Sequence, residues 1–442
     1  MKRLAWLLAT PLLASPLWAA DLLQIYREAR DNDATFAAAQ ANLEAGREKL
    51  PQGRAGLLPT LSLTGNSAWN DNDLTVRSTS INTPVKFNSN GYTLTLSQPL
   101  FRWQNWVNYD QSKFLVAQAE ANFVQAGQDL ILRTAQAYFD VLYATENLKA
   151  VRANKLSIEQ QLASAKKNFE VGTATITDSQ EAQARFDLAT AQEIGAENDL
   201  EVRTRALQAI IGKEPGALAP VRKDATMSPP QPADMKTWAE AAEKDSISVQ
   251  VQMAAAEIAS REVDKQRAGH YPTLDLIANK GTTASLASAG LGLIDSDFQN
   301  IGVQLTLPIF QGGVVVSRQS EASANRAAAE SNLELARRNS ALAARQYYLG
   351  VVNGLAQVRA LKAALISSQS SLESNKLGYE VGVRINIDVL NADNQVYVTR
   401  RDLAKAVLDT LMAQFKLKAA VGTLSEDDVA AVNALLDPAA AQ

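Results

Sequence analysis

One pattern of four markers occurs twice in this chain, about 210 residues apart, and each copy must be given an equivalent setting. Phe169-Glu170-Val171-Gly172 returns as Tyr379-Glu380-Val381-Gly382, with the glycines 382 − 172 = 210 apart. Six residues after each glycine stands an aspartate, Asp178 and Asp388. Arg54-Ala55-Gly56-Leu57-Leu58-Pro59-Thr60-Leu61 returns as Arg267-Ala268-Gly269-His270-Tyr271-Pro272-Thr273-Leu274, and Pro99-Leu100-Phe101 as Pro308-Ile309-Phe310. Markers in one order at nearly one offset mean a duplicated structural unit.

Two different periodicities alternate within each copy. Leu61 to Trp69, Tyr92 to Ser97, Leu274 to Leu276 and Ile301 to Leu307 alternate apolar with polar residues, which predicts strands with one greasy and one wet face. Each strand has room for about 9–11 residues, the length that crosses a bilayer with tilt. Polar segments such as Asn70 to Asn90 and the stretch Gly281 to Asn300 are expected to join them. Between the strand pairs, the runs from Trp103 to Glu170 and Val314 to Glu380 contain no proline. They predict helices of roughly 100 Å at 1.5 Å per residue, each turning at its Val-Gly marker and returning as a second helix.

The expected organisation is a signal peptide over 1–20 and a first repeat over 21–219, with its strand pair at about 61–100 and helical hairpin at about 103–212. A proline-rich linker follows over 220–236. The second repeat over 237–424 has strands at about 274–308 and a hairpin at about 314–421, before a C-terminal tail over 425–442. Lys2 and Arg3 precede the apolar run Leu4 to Leu17, with cleavage expected after Ala19 or Ala20. In the first repeat, Asp21 to Leu50 reads as helix, ended by Pro51 and the glycines beyond. No segment after the leader reads as a membrane-spanning helix, so strands must do any crossing. Four strands cannot close a barrel, and an open edge in hydrocarbon costs several kcal/mol per unpaired group. Copies of the chain must therefore share one barrel, eight strands in a dimer or twelve in a trimer.

Bulk properties exclude several classes. A formal charge of −4 leaves no polycationic footprint for nucleic acid. The absence of cysteine removes thiolate metal sites and cysteine nucleophiles. His270, the single histidine, has no acid–base partner in sequence and reads as structural, so no catalytic residue, metal or cofactor is assigned.

Gly269 to Leu276, Leu307 to Gly313, Gly378 to Gly382, Ile387 to Leu390 and Ala420 to Leu424, with Thr134 to Phe139 and Phe169 to Asp178 in the first half, give the chain a family likeness. It resembles the TolC-type outer-membrane efflux and secretion ducts over essentially its whole mature length. The resemblance implies a mixed α and β fold. Three chains would form a twelve-stranded membrane β-barrel, four strands each, continuing into a long periplasmic α-helical coiled-coil barrel. It implies a homotrimer in the outer membrane of a Gram-negative bacterium. This would dock onto a periplasmic adaptor and an inner-membrane transporter and conduct drugs or secreted proteins, without enzymatic activity. The alternative is a periplasmic coiled-coil structural or adaptor protein with no barrel.

The hairpin tips carry the candidate site. Asp388 and Asn391 share one helix face, and three Asp388 carboxylates around one axis would attract cations. By resemblance they form the aperture ring, with Asn391 standing where the family usually has a second aspartate. Thr177, Asp178, Tyr379 and Arg384 would latch the tips shut, and Val171, Gly172, Val381 and Gly382 would contact the adaptor. Sequence physics offers another role: Asp178-Ser179-Gln180-Glu181 reads as a capping box, and Asp388 also opens a helix.

Overall fold

The computed structural model describes residues 19–76, 81–173, 175–222, 224–286 and 293–437. The leader, apart from Ala19 and Ala20, lies outside them. Two compact units emerge, and each draws chain from both halves of the sequence.

One unit (40–123 and 248–337) holds the sheet. Strands β1 (Thr60–Val76), β2 (Ile81–Phe101), β3 (Thr273–Leu286) and β4 (Leu293–Thr306) pair antiparallel in that order. The strands run to 17, 21, 14 and 14 residues, longer than the expected 9–11. The polar segment Asn70 to Asn90 is itself strand on both sides, because β1 and β2 keep exchanging backbone hydrogen bonds out to Val76 opposite Ile81. Register sorts the side chains by face. Leu61 lies opposite Leu96, Leu63 opposite Leu94, Leu276 opposite Val303 and Ala278 opposite Ile301. On the other face the Thr95 hydroxyl donates to Asn279 at 2.8 Å, and the Asn279 amide to Asn300 at 3.0 Å. Backbones of β2 and β3 approach closely at Gly281, where a Cβ would lie 2.3 Å from the Tyr92 carbonyl oxygen. The pairing shifts at Pro99, a bulge where the missing N–H does no harm.

A two-pronged ion pair ties the strands to the helix that follows them. Arg102 donates through Nε and Nη2 to the two carboxylate oxygens of the buried Asp275, at 2.7 and 2.8 Å. In the same unit, which also holds the greater part of α2 (Ala34–Arg47) and of α7 (Ile247–Arg267), α3 (Lys49–Ala55) contains Pro51, which was expected to end the preceding helix. Proline sits in the first turn of α3, where its absent N–H has no intrahelical partner to lose.

The other unit (19–39, 124–247 and 338–437 among the described residues) holds the helical core. It takes in α1 (Leu22–Asn32), α5 (Ile176–Ile211), α6 (Met235–Asp245), α9 (Asn386–Ala420) and α10 (Glu426–Asn433). The greater part of α4 (Trp103–Glu170) and α8 (Val314–Glu380) also belongs to it. Leu22 and Ile25 of α1, Tyr138 and Phe139 of α4, Leu207 and Ile211 of α5, and Leu411 and Phe415 of α9 form one buried cluster. Tyr138, fully buried, donates to the Ala219 carbonyl at 2.8 Å, which supplies the partner its hydroxyl needs. The segment expected as a tail contains α10, at whose start the Asp428 carboxylate accepts the Ser425 N–H at 3.0 Å, and Val429 joins the core. Arg222 of the expected linker donates its N–H to Leu435.

One stretch of α8 is long and apolar enough to cross a membrane by length and composition alone, a test that a core helix packed on other helices also passes.

Candidate functional site

Both hairpin tips are built by the same backbone device. The Thr173 N–H donates to Asn168 at 2.8 Å and the Gly172 N–H to Phe169 at 3.0 Å; Val383 donates to Gly378 at 2.9 Å and Gly382 to Tyr379 at 3.1 Å. These are Schellman closures, and each needs a left-handed residue, supplied by Gly172 (φ 76°) and Gly382 (φ 80°). Neither glycine has an atom within 4 Å of where a Cβ would stand, so the requirement is conformational rather than one of space.

The returning helices start differently. In α5, Thr175 is the N-cap and Asp178 the third helical residue, a reciprocal capping box with contacts of 3.2 and 3.0 Å. The box is therefore one frame earlier than expected, with Asp178 at its end rather than its start. In α9 the N-cap is Ile385, which has no side-chain acceptor. Asp388 occupies the position equivalent to Asp178 without a hydroxyl to bind, and pairs with Arg384 at 3.6 Å. That pair is too exposed to be worth more than about 1 kcal/mol.

The four expected latch residues do not converge within one chain. Tyr379 accepts from the Asn168 amide at 3.3 Å, Arg384 faces Asp388, Asp178 is engaged with Thr175, and Thr177 is exposed. The stem of Arg384 lies over Gly378, where a Cβ would come within 2.7 Å of it. Asn391 is held by Arg185 of α5, which donates to its side-chain oxygen at 3.3 Å.

Sequence reasoning named Val171 and Val381 but missed how far the apolar surface extends. Phe169, Val171 and Ile176 on one tip, and Leu377, Val381, Val383 and Ile385 on the other, are all exposed. An apolar residue at the N-cap position, Ile385, was the available signal. A second surface lies along α8, where Leu342, Leu349 and Leu377 are exposed and share one heptad phase. On the sheet, Leu61, Leu63, Ile301, Val303 and Leu305 are exposed on the edge strands β1 and β4, each of which has a single strand neighbour among the described residues.

Among the described residues no group of three or more histidines, aspartates or glutamates is placed to hold a metal ion. The profile of a family described as "Outer membrane efflux protein" matches residues 25–213 and 238–423. The outer membrane protein TolC of Vibrio cholerae is 33% identical over 425 residues, covering 96% of this chain and 95% of that protein. The alkaline protease secretion protein AprF of Pseudomonas aeruginosa is 31% identical over 441 residues, covering 98% and 92%. The CmeC outer membrane channel of Campylobacter jejuni superposes with a TM-score of 0.80 at 18% identity, covering 94% of this chain and 90% of that one.

Proposed function

The chain belongs to the outer membrane efflux protein family, and from that membership we propose that three copies assemble into one duct. It is an outer-membrane export channel for drugs or proteins, a conduit and not an enzyme. Three four-stranded sheets would close a twelve-stranded barrel, with β1 of each copy paired to β4 of the next. The observation that carries this reading is the sheet itself, apolar on one face and with the outer edges of β1 and β4 unpaired among the described residues. In hydrocarbon such edges must find partners, and identical copies supply them at no cost in specificity.

The duplicated sequence would make the helices of three chains a pseudo-sixfold ring. The exposed heptad phase of α8 supports this, because it suits a neighbouring helix and is flanked by the exposed Arg345 and Arg359, each three residues beyond a position of that phase, which lipid would not accept. A periplasmic adaptor would meet the apolar tips at Val171, Gly172, Val381 and Gly382, with an inner-membrane transporter behind it. Asp388, free of any capping hydroxyl, would supply one carboxylate per copy to the aperture. Asn391, neutral and tied to Arg185, would add none. Arg384, Tyr379, Thr177 and Asp178 would hold the hairpin tips together and close the mouth.

Protein purified in mild detergent tests the assembly. Its mass is expected at three chains per particle, with strand content that resists heating until the trimer dissociates. A monomer with intact helices would remove the shared barrel and favour the coiled-coil alternative.

A further inference from the structure

The long helix α4 carries amides at strict heptad spacing, Asn147, Asn154, Gln161 and Asn168, on one face. Contacts at the two ends show where that face looks. The Tyr397 hydroxyl of α9 donates to Asn147 at 3.3 Å, and Asn168 donates to the Tyr379 hydroxyl of α8 at 3.3 Å. Both partners belong to the second hairpin, so this is a seam between hairpins. The middle amides are not satisfied. Asn154, 8% exposed, has no partner for Oδ1, and Gln161 has none for either Oε1 or Nε2. Between them Ser157 donates to Asp393 of α9, whose Oδ2 is likewise buried without a partner.

Such a seam holds little in reserve. Each buried polar atom without a partner costs about 1–3 kcal/mol, a penalty relieved when the atom meets water. The apolar packing beside it is small: Ile158, Ala189 and Leu390 with the half-buried Phe186 and Ile387, and Leu148, Val151 and Ala196 with the half-buried Leu200 and Tyr397. The second copy of the repeat does not share the ladder. Its equivalents 210 residues on are Gln357, Ala364, Ser371 and Gly378, so the feature is confined to the junction inside one chain.

We propose that this face of α4, closed by Asp393, is a proton-sensitive seam: it packs while Asp393 is protonated and takes up water, parting the two hairpins, when Asp393 ionises. Burial pushes the Asp393 carboxyl above the ordinary carboxylate value, against the opposing effects of the Ser157 hydrogen bond and the charges of Lys376 on α8 and Arg400 on α9. The α4 group that acts on it is the neutral Ser157 hydroxyl. A carboxyl that holds its proton more tightly in the packed seam favours the packed state at low pH. That advantage is complete below the ordinary carboxylate value and is lost as pH rises through the raised one.

The proposal rests on the tip-gated channel reading, and two readouts keep their failures apart. The chain has no cysteine, so Gln161→Cys introduces a single thiol into the seam. Its maleimide labelling is compared, at each pH, between protein with Asp393 and protein with Asp393→Asn, which mimics the protonated acid and cancels the thiol's own pH response. Equal rates at acid pH and about tenfold faster labelling with Asp393 at pH 8 are expected, the change in open population that relief of one buried unpartnered polar atom would give. A ratio of one at every pH overturns the proposal. So does a bilayer conductance whose rise with pH survives Asp393→Asn. Absence of conductance in both proteins counts against the channel reading, while the labelling ratio still decides the seam.

Discussion

At the scale of single residues, the helical unit buries one charged residue among those described, Asp33, and its partner comes from distant sequence. Arg133 grips Asp33 with two nitrogens at 3.0 Å each, and the Asp33 side chain is only 5% exposed. Hydrogen bonding to Arg133, against the opposing effect of burial, holds the Asp33 carboxyl below its ordinary range. A lowered carboxyl contributes stability that is present above the ordinary carboxylate value and lost as pH falls through the lowered one. Replacing Arg133 with methionine is expected to cost about 2–3 kcal/mol at neutral pH. That is less than the 3–5 kcal/mol of a fully buried pair, because the guanidinium is partly exposed. Thermal melts across pH check it: the gap between wild type and Arg133→Met should narrow in acid, and a gap independent of pH would contradict the account. Neither Asp33 nor Arg133 stood out in the sequence, since a bidentate pair 100 residues apart has no local signature.

At the scale of elements, what was legible followed from backbone chemistry. Long runs without proline became the 68- and 67-residue helices α4 and α8, and strict alternation at Ile301 to Leu307 marked β4 because a strand with two environments must alternate. Pro51 misled because a proline in a first turn and one after a last turn look alike in sequence. Strand ends misled because strands that pair with each other continue past the apolar stretch without needing a greasy face. The tips were found through their repeated glycines, but which aspartate caps and which is free depended on Thr175 against Ile385, a difference that matters only once the helix start is known. Gly172→Ala and Gly382→Ala should each cost about 1–2 kcal/mol, because the left-handed conformation, and not crowding, excludes a side chain there. Hydrogen exchange at the tip amides is the measure. Loss of protection confined to the turns supports this reading, and unchanged exchange would mean that the turns tolerate a side chain.

At the scale of the whole molecule, the chain has more apolar surface than one copy can bury. The sheet edges, the heptad phase of α8 and the hairpin tips each leave a face that only assembly would cover. Fold and family follow from the duplicated pattern, but closure of barrel and mouth does not, because the contacts that would close them run between copies. Arg384 and Asp178 illustrate this: they make separate local contacts within a chain, so the joint role proposed for them would need the assembled tips. Single-channel recording in planar bilayers tests the central claim most directly, comparing wild type with Arg384→Ser and Asp388→Asn. The account predicts discrete steps of small conductance for wild type, larger steps for Arg384→Ser, and loss of divalent-cation block for Asp388→Asn. No steps from trimeric protein, or steps indifferent to both substitutions, would contradict a duct gated at its hairpin tips.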